Sequence, residues 1–342
     1  MRIIIISDAW TPQVNGVVRT LQNTGRELRA LGHDVRMLVP EGRRSFPLPF
    51  YPEIRLAFTS SRAIGREIEG FLPDAVHIAT EGPLGLAARR WCVRKNMPFT
   101  SAFHTRYAEF AHAMAPIPGL KPLIWRFLRW FHAPSRAVMV PTASMQAVLQ
   151  DYQFENVKIW TRGVDHELFK PYEDAPFQDL PRPILLLSGR VAAEKGIEDF
   201  LSLDLPGSKV VVGDGPMLKS LKAKYPQAIF TGYLHNGTYA RHLASADCFV
   251  FAGKADTFGL VMLEAMASGV PVAAYPVPGP LDVVEDGVSG ALDENLQKAV
   301  ERALKIPAKA ARDRAMKFTW RETAQQFAAH LAPLREDHGS GF

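Results

Sequence analysis

Short apolar runs alternate with longer amphipathic stretches along most of the chain, and this pattern predicts parallel strands joined by helices. The runs Ile3–Ile6 and Ala75–Ile78 predict buried strands, and the apolar spacing within Val17–Leu31 predicts an amphipathic helix. The alternation restarts at Ile184–Leu187, after a loop at 170–183 that is rich in proline and acidic residues. The pattern therefore predicts an α/β protein of two doubly wound, parallel-sheet domains. Further predicted strands are Val35–Val39, Phe99–Phe103, Ala137–Val140, Lys209–Val212, Ala228–Phe230, Cys248–Phe251 and Val270–Ala274.

The proline-rich loop sets the expected domain boundary. We expect an N-terminal domain at 1–170, a second domain at 171–316, and a helix within 317–334 that packs back on the first domain. The polar tail at 335–342 is expected to be disordered. Because ligands of doubly wound sheets bind outside the carboxyl ends of the strands, a cleft between the two domains is the expected site.

The composition is that of an ordinary globular protein of 342 residues with 47% hydrophobic content, which excludes disordered, collagen-like and coiled-coil chains. The two cysteines, Cys92 and Cys248, have no metal-ligand spacing, so we expect a reducing, cytoplasmic location. A membrane-spanning helix needs about 20 apolar residues, and Glu264 interrupts the most apolar later stretch. We therefore expect a protein that does not cross a membrane.

The two halves of the chain differ in charge. Residues 1–170 hold 22 Lys and Arg against 14 Asp and Glu, whereas residues 171–342 hold 18 against 21. A basic first half favours an anionic partner, such as nucleic acid, a phosphate-bearing substrate or an anionic membrane surface. The alternative is an ordinary drift in the number of solvated surface cations. No nucleic-acid reader motif accompanies the basic charge, so no nucleic-acid partner is expected.

Candidate chemistry follows the first predicted strand of each domain. The segment Asp8–Gly16 precedes a predicted helix, but it lacks the G-x-G-x-x-G spacing of a dinucleotide loop, and a structural turn explains it equally well. In the second domain, Ser188–Gly196 brings Arg190 and Lys195 to the end of a strand. Two cations beside a helix start can bind a diphosphate, although solvated loop cations are the ordinary alternative.

Three further segments combine polar residues with tight turns. Gly213–Pro216 follows a strand and is suited to a turn before a helix. In Asp256–Pro271, Glu264 lies within an apolar helical pattern, where a buried carboxylate needs hydroxyl or cationic partners; an exposed position is the alternative. His104 follows a predicted strand of the first domain, and a single histidine of this kind is more often structural than catalytic.

The order and spacing of these segments resemble glycosyltransferase family 4, a family of retaining enzymes with the GT-B fold. The strongest matches are S-G-R-x₄-K-G, G-D-G-P and D-x₇-E-A-M-A-S-G-V-P-V, which begin at Ser188, Gly213 and Asp256. Weaker matches are P-Q-V-N-G-V at 12–17, F-H-T at 103–105, G-V-D at 163–165 and F-T-W at 318–320. The resemblance spans nearly the whole chain.

The resemblance implies roles for individual residues. Arg190 and Lys195 are similar to residues that bind the donor diphosphate, and Glu264 to a carboxylate that binds the nucleotide ribose. Asp256 stands where the family usually has a glutamate that contacts the donor sugar, which leaves the sugar open. The resemblance further implies donor contacts at Gly16, Tyr233 (base), Phe258, Gly259 and Leu260, a sugar contact at His104, and an acceptor side at Asp8, Asn15 and Arg162. It implies no cofactor and no metal, because cations and helix N-termini stabilise the leaving diphosphate.

Within the family, Phe103–Tyr107 and Ile159–Asp165 are most similar to the subgroup of α-mannosyltransferases and sulfoquinovosyl- or glycosyl-diacylglycerol synthases. Arg162 stands where many members have asparagine. A lipid-modifying enzyme must contact a bilayer, and the segment 120–131 mixes three cations with four aromatic residues. Such a segment suits an anionic membrane surface, and an aromatic side packed in the core is an equal alternative.

These features predict a metal-independent retaining glycosyltransferase that moves a hexose from a UDP- or GDP-sugar to an acceptor hydroxyl. A membrane glycerolipid such as diacylglycerol is the expected acceptor, and the protein is expected to be cytoplasmic and peripheral on the membrane. One alternative is a mannosyl- or glucosyltransferase with a soluble or polysaccharide acceptor. Another is a sugar-nucleotide-binding protein without catalytic activity, which only the replacement at Asp256 favours.

Overall fold

The computed structural model describes residues 1–13, 15–48, 51–109, 117–174 and 176–334, with only the backbone of 48 and 51–54. Among these residues the chain forms two compact units. The N-terminal unit holds Met1–Thr105, Lys121–Thr161 and the residues from Trp320 onward, and the C-terminal unit holds Arg106–Leu120 and Arg162–Thr319. The tail at 335–342, expected to be disordered, lies outside the described residues, as does Val14.

Six parallel strands form the sheet of the N-terminal unit, in the order β2-β1-β5-β6-β7-β8. Successive strands are added first to one side of β1 and then to the other, so the strand order reverses at β1, which lies between β2 and β5. All four isoleucines of β1 are fully buried, because helices cover both faces of the sheet. The strands are β1 (Arg2–Ile6), β2 (Asp34–Leu38), β5 (Ala75–Ile78), β6 (Thr100–Ala102), β7 (Val138–Val140) and β8 (Val157–Ile159), and β3 (Ser45–Leu48) and β4 (Tyr51–Ala57) pair as an antiparallel hairpin.

Helices of the N-terminal unit pack on both sides of this sheet. Phe327, on the last helix, joins Ile3, Ile5 and Leu21 in one buried cluster, and this helix packs against the first. The helices are α1 (Gly16–Ala30), α2 (Ser61–Phe71), α3 (Pro83–Arg94), α4 (Leu120–His132), α5 (Ala143–Asp151) and, at the end of the described chain, α13 (Trp320–His330).

The C-terminal unit repeats this architecture. Its six parallel strands have the order β11-β10-β9-β12-β13-β14. The strand order therefore reverses at β9, which lies between β10 and β12. The strands are β9 (Ile184–Ser188), β10 (Ser208–Val212), β11 (Ile229–Gly232), β12 (Cys248–Phe251), β13 (Val272–Ala274) and β14 (Gly290–Leu292). The helices are α6 (Ile197–Leu201), α7 (Leu218–Lys224), α8 (Asn236–Ala244), α9 (Leu260–Ala267), α10 (Pro280–Val283), α11 (Leu296–Ala303) and α12 (Ala308–Ala315).

The boundary between the units differs from the sequence expectation at 170/171. It lies at 161/162, because Val164 and Phe169 are buried in the core of the C-terminal unit, together with Ile184. On the other side, the indole N–H of Trp160 donates to the carbonyl of Thr323, which ties the end of β8 to α13. The returning segment begins at Trp320 rather than at 317.

Candidate functional site

The loops that follow β9 and β12 meet at the carboxyl edge of the C-terminal sheet, where the strand order reverses. Lys195 lies in a short 3-10 turn after β9, and Asp256 lies in the loop after β12. The Lys195 ammonium donates to both carboxylate oxygens of Asp256, at 2.7 and 2.8 Å. Both side chains are 27% exposed, so the ion pair faces solvent and can exchange partners. Their pairing was not predicted from the sequence, in which Lys195 was expected at the diphosphate and Asp256 at the sugar of a donor.

The S-G-R and G-D-G-P segments pack directly on one another. A Cβ at Gly213, whose φ is +143°, would lie 1.9 Å from the carbonyl oxygen of Gly189, so only glycine fits there. The amide of Val191 donates to the carbonyl of Asp214 at 2.9 Å, which continues the contact between the two loops. Arg190, partly buried, lies between these anchored residues, so its backbone has a fixed position beside the sheet edge.

Glu264 is buried, 5% exposed, on the otherwise apolar helix α9. Its Oε2 accepts a hydrogen bond from the Tyr239 hydroxyl at 3.1 Å, and that hydroxyl lies 2.8 Å from the Oγ of Ser188 at the end of β9. The alternative of an exposed Glu264 is therefore wrong, and hydroxyl groups supply the partners that a buried carboxylate needs. Tyr239 and Ser188 were not among the predicted site residues.

The start of α9 presents backbone N–H groups near the same edge. Gly259 occupies the N-cap position with a φ of +83°, and Leu260 is the first residue of the helix. Both residues are partly exposed, whereas the Phe258 side chain is buried in the core. A partly exposed helix N-terminus attracts anions. Tyr233, predicted beside the base, follows β11, is 43% exposed and stacks edge-on against His235.

In the N-terminal unit, Asp8 lies at the carboxyl edge of the sheet, in the loop after β1. Its carboxylate is 5% exposed and accepts the backbone N–H groups of Leu84 and Gly85, at 2.8 and 3.2 Å, at the start of α3. The Thr80 hydroxyl donates to it as well, at 3.0 Å. Burial raises the pKa of Asp8, although the helix N–H groups act in the opposite direction. A Cβ at Gly82 would lie 2.4 Å from this carboxyl carbon, so glycine leaves room for it. These contacts make Asp8 the cap of α3.

The other predicted residues of the first half have separate local surroundings. The Asn15 side chain caps α1 by accepting from the N–H groups of Val17 and Val18, both at 3.0 Å, and Gly16 is the exposed first residue of that helix. His104 follows β6, is partly buried and packs edge-on against Trp160. Arg162, the first residue of the C-terminal unit, is 3% exposed, and burial lowers its pKa to about 9.

Helix α4 divides the aromatic residues of the 120–131 segment between core and surface. Trp125 and Phe131 are buried, and Trp125 stacks between Phe103 and Tyr152. Phe127 and Trp130 are 39% and 50% exposed. The alternative of a core-packed aromatic side therefore holds for Trp125 and Phe131, whereas Phe127 and Trp130 leave an exposed aromatic side. Leu123, at 63%, extends the exposed apolar side.

No group of three or more His, Cys, Asp or Glu side chains among the described residues could hold a metal ion. No helix among the same residues combines the length and apolar character that crossing a bilayer requires.

Comparisons with known proteins agree with the two-unit architecture. The family model "Glycosyltransferase Family 4" matches residues 14–168, and "Glycosyl transferases group 1" matches residues 182–306. The chain is 31% identical to a GDP-mannose-dependent alpha-mannosyltransferase of Mycolicibacterium smegmatis over 319 residues, which cover 85% of this chain and 84% of that protein. It is 27% identical to an alpha-monoglucosyldiacylglycerol synthase of Streptococcus pneumoniae over 347 residues, or 89% and 78% of the two chains.

A solved structure shares the fold. Sucrose-phosphate synthase from Thermosynechococcus elongatus superposes with a TM-score of 0.77 at 21% identity, covering 96% of this chain and 97% of that one. At this identity the likeness shows the GT-B fold of two parallel-sheet α/β units, as the sequence analysis predicted.

Proposed function

The chain belongs to glycosyltransferase family 4, and we propose that it transfers a hexose, with retention of the α configuration, from a nucleoside-diphosphate sugar to an acceptor hydroxyl. The observation that carries the proposal is the carboxyl edge of the C-terminal sheet. Two cations after β9, a partly exposed helix N-terminus after β12 and a buried carboxylate on α9 lie at this edge. Cations and helix N–H groups bind a diphosphate, and a carboxylate held by hydroxyls binds a ribose.

In this proposal Arg190, Lys195 and the N–H groups of Gly259 and Leu260 stabilise the negative charge that develops on the leaving diphosphate. The acceptor hydroxyl attacks the anomeric carbon from the face on which the bond to the phosphate oxygen breaks. That phosphate oxygen takes the hydroxyl proton, so no residue of the chain serves as a covalent nucleophile. Stabilising charge that appears only in the transition state raises turnover more than affinity.

The remaining assignments belong to the same proposal. Asp256 and His104 contact the donor sugar, Tyr233 and Gly16 contact the base and the diphosphate, and Asn15 and Arg162 lie on the acceptor side. Asp8 keeps its acceptor-side assignment only through its backbone carbonyl, because α3 and Thr80 occupy its carboxylate oxygens and its backbone N–H donates to the Thr80 hydroxyl.

We propose a membrane glycerolipid such as diacylglycerol as acceptor, approached by an enzyme bound peripherally to the cytoplasmic face of a membrane. Support comes from the similarity to a glucosyldiacylglycerol synthase and from the outer side of α4. There Leu123, Phe127 and Trp130 are exposed beside the exposed Arg126. Apolar and basic residues on one side of a helix suit an anionic interface.

A matrix of donors and acceptors tests the reaction. UDP- and GDP-linked glucose, mannose and galactose are combined with diacylglycerol, phosphatidylinositol and soluble sugars, and products are identified by mass spectrometry and anomeric NMR. A lipid α-glycoside supports the full proposal, and a soluble product supports the alternative acceptor. Donor binding without transfer or hydrolysis in any combination contradicts an enzyme and favours a sugar-nucleotide-binding protein.

The Asp256→Glu variant tests the sugar contact in the same matrix. The longer side chain reaches the donor sugar at a different place, so we expect altered preference among sugars with unchanged binding of the nucleoside diphosphate. A donor profile identical to that of the unaltered protein contradicts the contact.

Chelation tests the metal independence. The cations of the site already neutralise the diphosphate, so we expect activity to survive excess EDTA. Loss of activity that Mg²⁺ or Mn²⁺ restores contradicts this part of the proposal.

Vesicle flotation tests the membrane contact, with one variant for each physical contribution. Arg126→Glu is expected to weaken binding to anionic vesicles at low salt, because the electrostatic contribution is about 1 kcal/mol per cation and is screened by salt. Leu123→Ser with Phe127→Ser is expected to remove the part of binding that persists at high salt. A matched control, Leu281→Ser with Arg321→Glu, alters an exposed leucine and an exposed arginine on other helices. Equal losses in control and test variants contradict docking through α4.

A further inference from the structure

Three polar side chains from three different elements meet inside the C-terminal unit. Ser188 ends β9, Tyr239 lies on α8 and Glu264 lies on α9, and their exposures are 7%, 6% and 5%. The Tyr239 hydroxyl connects the other two, with 2.8 Å to the Ser188 Oγ and 3.1 Å to the Glu264 Oε2. Buried polar chains of this kind are costly to assemble unless each member is paired.

The direction of the hydrogen bonds follows from the chemistry of the groups. A phenol has one proton, and an ionised carboxylate only accepts. The Tyr239 hydroxyl therefore donates its hydrogen bond to Glu264. The Ser188 hydroxyl must then donate to the phenol oxygen. A donor from Ser188 makes the phenol a stronger donor to the carboxylate, because successive hydrogen bonds polarise one another. The chain of bonds thus points from the end of β9 towards Glu264.

We propose that Tyr239, supported by Ser188, is a positioning residue that orients the Glu264 carboxylate for the ribose hydroxyls of the donor nucleotide. This inference rests on the assignment of Glu264 in the proposed function. The neighbouring side chains Leu263, Ala265 and Met266 are fully buried and apolar, so a polar partner is needed to orient the carboxylate. The hydrogen bond from the Tyr239 hydroxyl supplies one and fixes the position of Oε2.

A positioning role predicts an effect on one part of the ligand. Recognition of a ribose hydroxyl depends on the direction of the accepting oxygen, whereas binding of the diphosphate depends on residues of other loops. Removing the Tyr239 hydroxyl should therefore lower discrimination between ribose and deoxyribose nucleotides while leaving the contribution of the diphosphate in place. A tyrosine that only fills space predicts no such change.

The experiment measures binding of UDP and GDP, and of their 2′,3′-dideoxy counterparts, by calorimetry to the 342-residue protein. A hydrogen bond to a charged group contributes enough that we expect the unaltered protein to prefer the ribonucleotide by about tenfold or more. Tyr239→Phe keeps the ring that packs edge-on against Phe169 and is expected to reduce this ratio about three- to tenfold. Ser188→Ala is expected to reduce it less, because it acts through Tyr239.

Two further variants make the result specific. Tyr275→Phe removes another tyrosine hydroxyl that donates to a carboxylate, that of Asp199 at 3.0 Å, and is expected to leave the ratio unchanged. Glu264→Gln tests the underlying assignment. If Glu264→Gln keeps the full ratio, the ribose assignment in the proposed function fails. If Glu264→Gln loses the ratio and Tyr239→Phe retains it, only the positioning role is overturned. Thermal unfolding verifies that each variant is folded.

Discussion

Each unit has an aspartate at the carboxyl edge of its sheet, and the two aspartates serve different purposes. In each sheet the strand order reverses at the first strand of the unit, β1 or β9. In both units an aspartate links the loop after this strand to the segment after a neighbouring strand. Asp8, after β1, accepts backbone N–H groups at the start of α3, which follows β5. Asp256, after β12, accepts the ammonium of Lys195, which follows β9.

The difference lies in the partner and in the access of solvent. The partners of Asp8 are helix N–H groups that cannot leave without unwinding α3, and the carboxylate is buried. The partner of Asp256 is a flexible side chain, and both members of the pair are 27% exposed. A ligand anion can replace the second carboxylate at little cost and cannot replace the first. We therefore expect changes at Asp8 to affect folding and changes at the Lys195 pair to affect chemistry.

The largest expected effect is that of Lys195→Ala on turnover. Loss of one preorganised electrostatic contact to a leaving group lowers turnover by about 10²- to 10³-fold, and we expect a much smaller change in donor affinity. Arg190→Ala should behave similarly. The measurement is initial rate against donor concentration. An exposed lysine on α11, changed by Lys298→Ala, serves as the matched control. Full activity of Lys195→Ala would contradict the expectation that the Lys195–Asp256 pair takes part in the chemistry.

The sequence predicts the architecture more completely than it predicts the different roles of Asp8 and Asp256. Buried strands such as Ile3–Ile6 are continuous apolar runs, so their positions were predicted to within a residue or two. Strands β8 and β14 and the β3–β4 hairpin were not predicted. Strands β8 and β14 have only three residues each, two of the three in β8 are exposed, and prolines interrupt both hairpin strands. For strands, local pattern was sufficient wherever burial was complete.

The candidate site was predictable only in part, because its pairings join distant residues. Asp8 and Asp256 look alike in sequence, as acids that follow an apolar strand. Whether each meets a helix start or an ammonium depends on which loops the fold brings together. The partnership of Tyr239 with Glu264 depends likewise on two helices, and no motif signals it. The polar Glu264 in an apolar run was the single signal that a buried partner existed.

The second prediction concerns the contribution of Asp8 to the stability of the N-terminal unit. Asp8→Ala leaves two helix N–H groups and the Thr80 hydroxyl without their acceptor, and each buried donor so left costs about 1–3 kcal/mol. The removed carboxylate was itself costly to bury, so we expect a net loss of about 2 kcal/mol in the free energy of unfolding of the N-terminal unit. Urea denaturation measures it. Gly82→Ala, which displaces the same carboxylate, should act in the same direction, and Asp256→Ala should change stability by less than about 0.5 kcal/mol. Equal losses for Asp8→Ala and Asp256→Ala would contradict the distinction.

A third prediction concerns the exchange of partners at Lys195. In Asp256→Asn the ammonium has no competing carboxylate, so a nucleoside diphosphate without sugar should bind about three- to tenfold more tightly. The size is modest because the ion pair is partly exposed and screened. Calorimetric titration with UDP and GDP measures it, and Asp256→Glu, which keeps a carboxylate, is the control. Weaker binding by Asp256→Asn would mean that Asp256 holds Lys195 in its binding position rather than competing with the ligand.

A fourth prediction concerns the cap of α1. Asn15→Ala removes the acceptor of two N–H groups, and loss of such a cap costs about 1 kcal/mol. Asn15→Asp keeps the acceptor and should retain the stability. Denaturation of both variants, alongside donor kinetics, tests whether Asn15 is a cap alone. A large kinetic defect in Asn15→Asp with unchanged stability would instead support its acceptor-side assignment.

The smallest expected effect is the dependence of stability on pH through Asp8. Burial raises the pKa of this carboxyl in the folded protein above its ordinary value of 3.8. Between that value and the folded pKa, the unfolded chain has lost a proton that the folded chain keeps. Stability should therefore fall as pH rises through this interval and become flat above it, with a slope of at most about 1.4 kcal/mol per pH unit. Asp8→Asn, measured by urea denaturation from pH 4 upward, should lack this contribution although its stability is lower throughout. Parallel pH profiles of the two proteins would show that the helix N–H groups cancel the effect of burial on the pKa of Asp8, and a stability that rises with pH would show that they outweigh it.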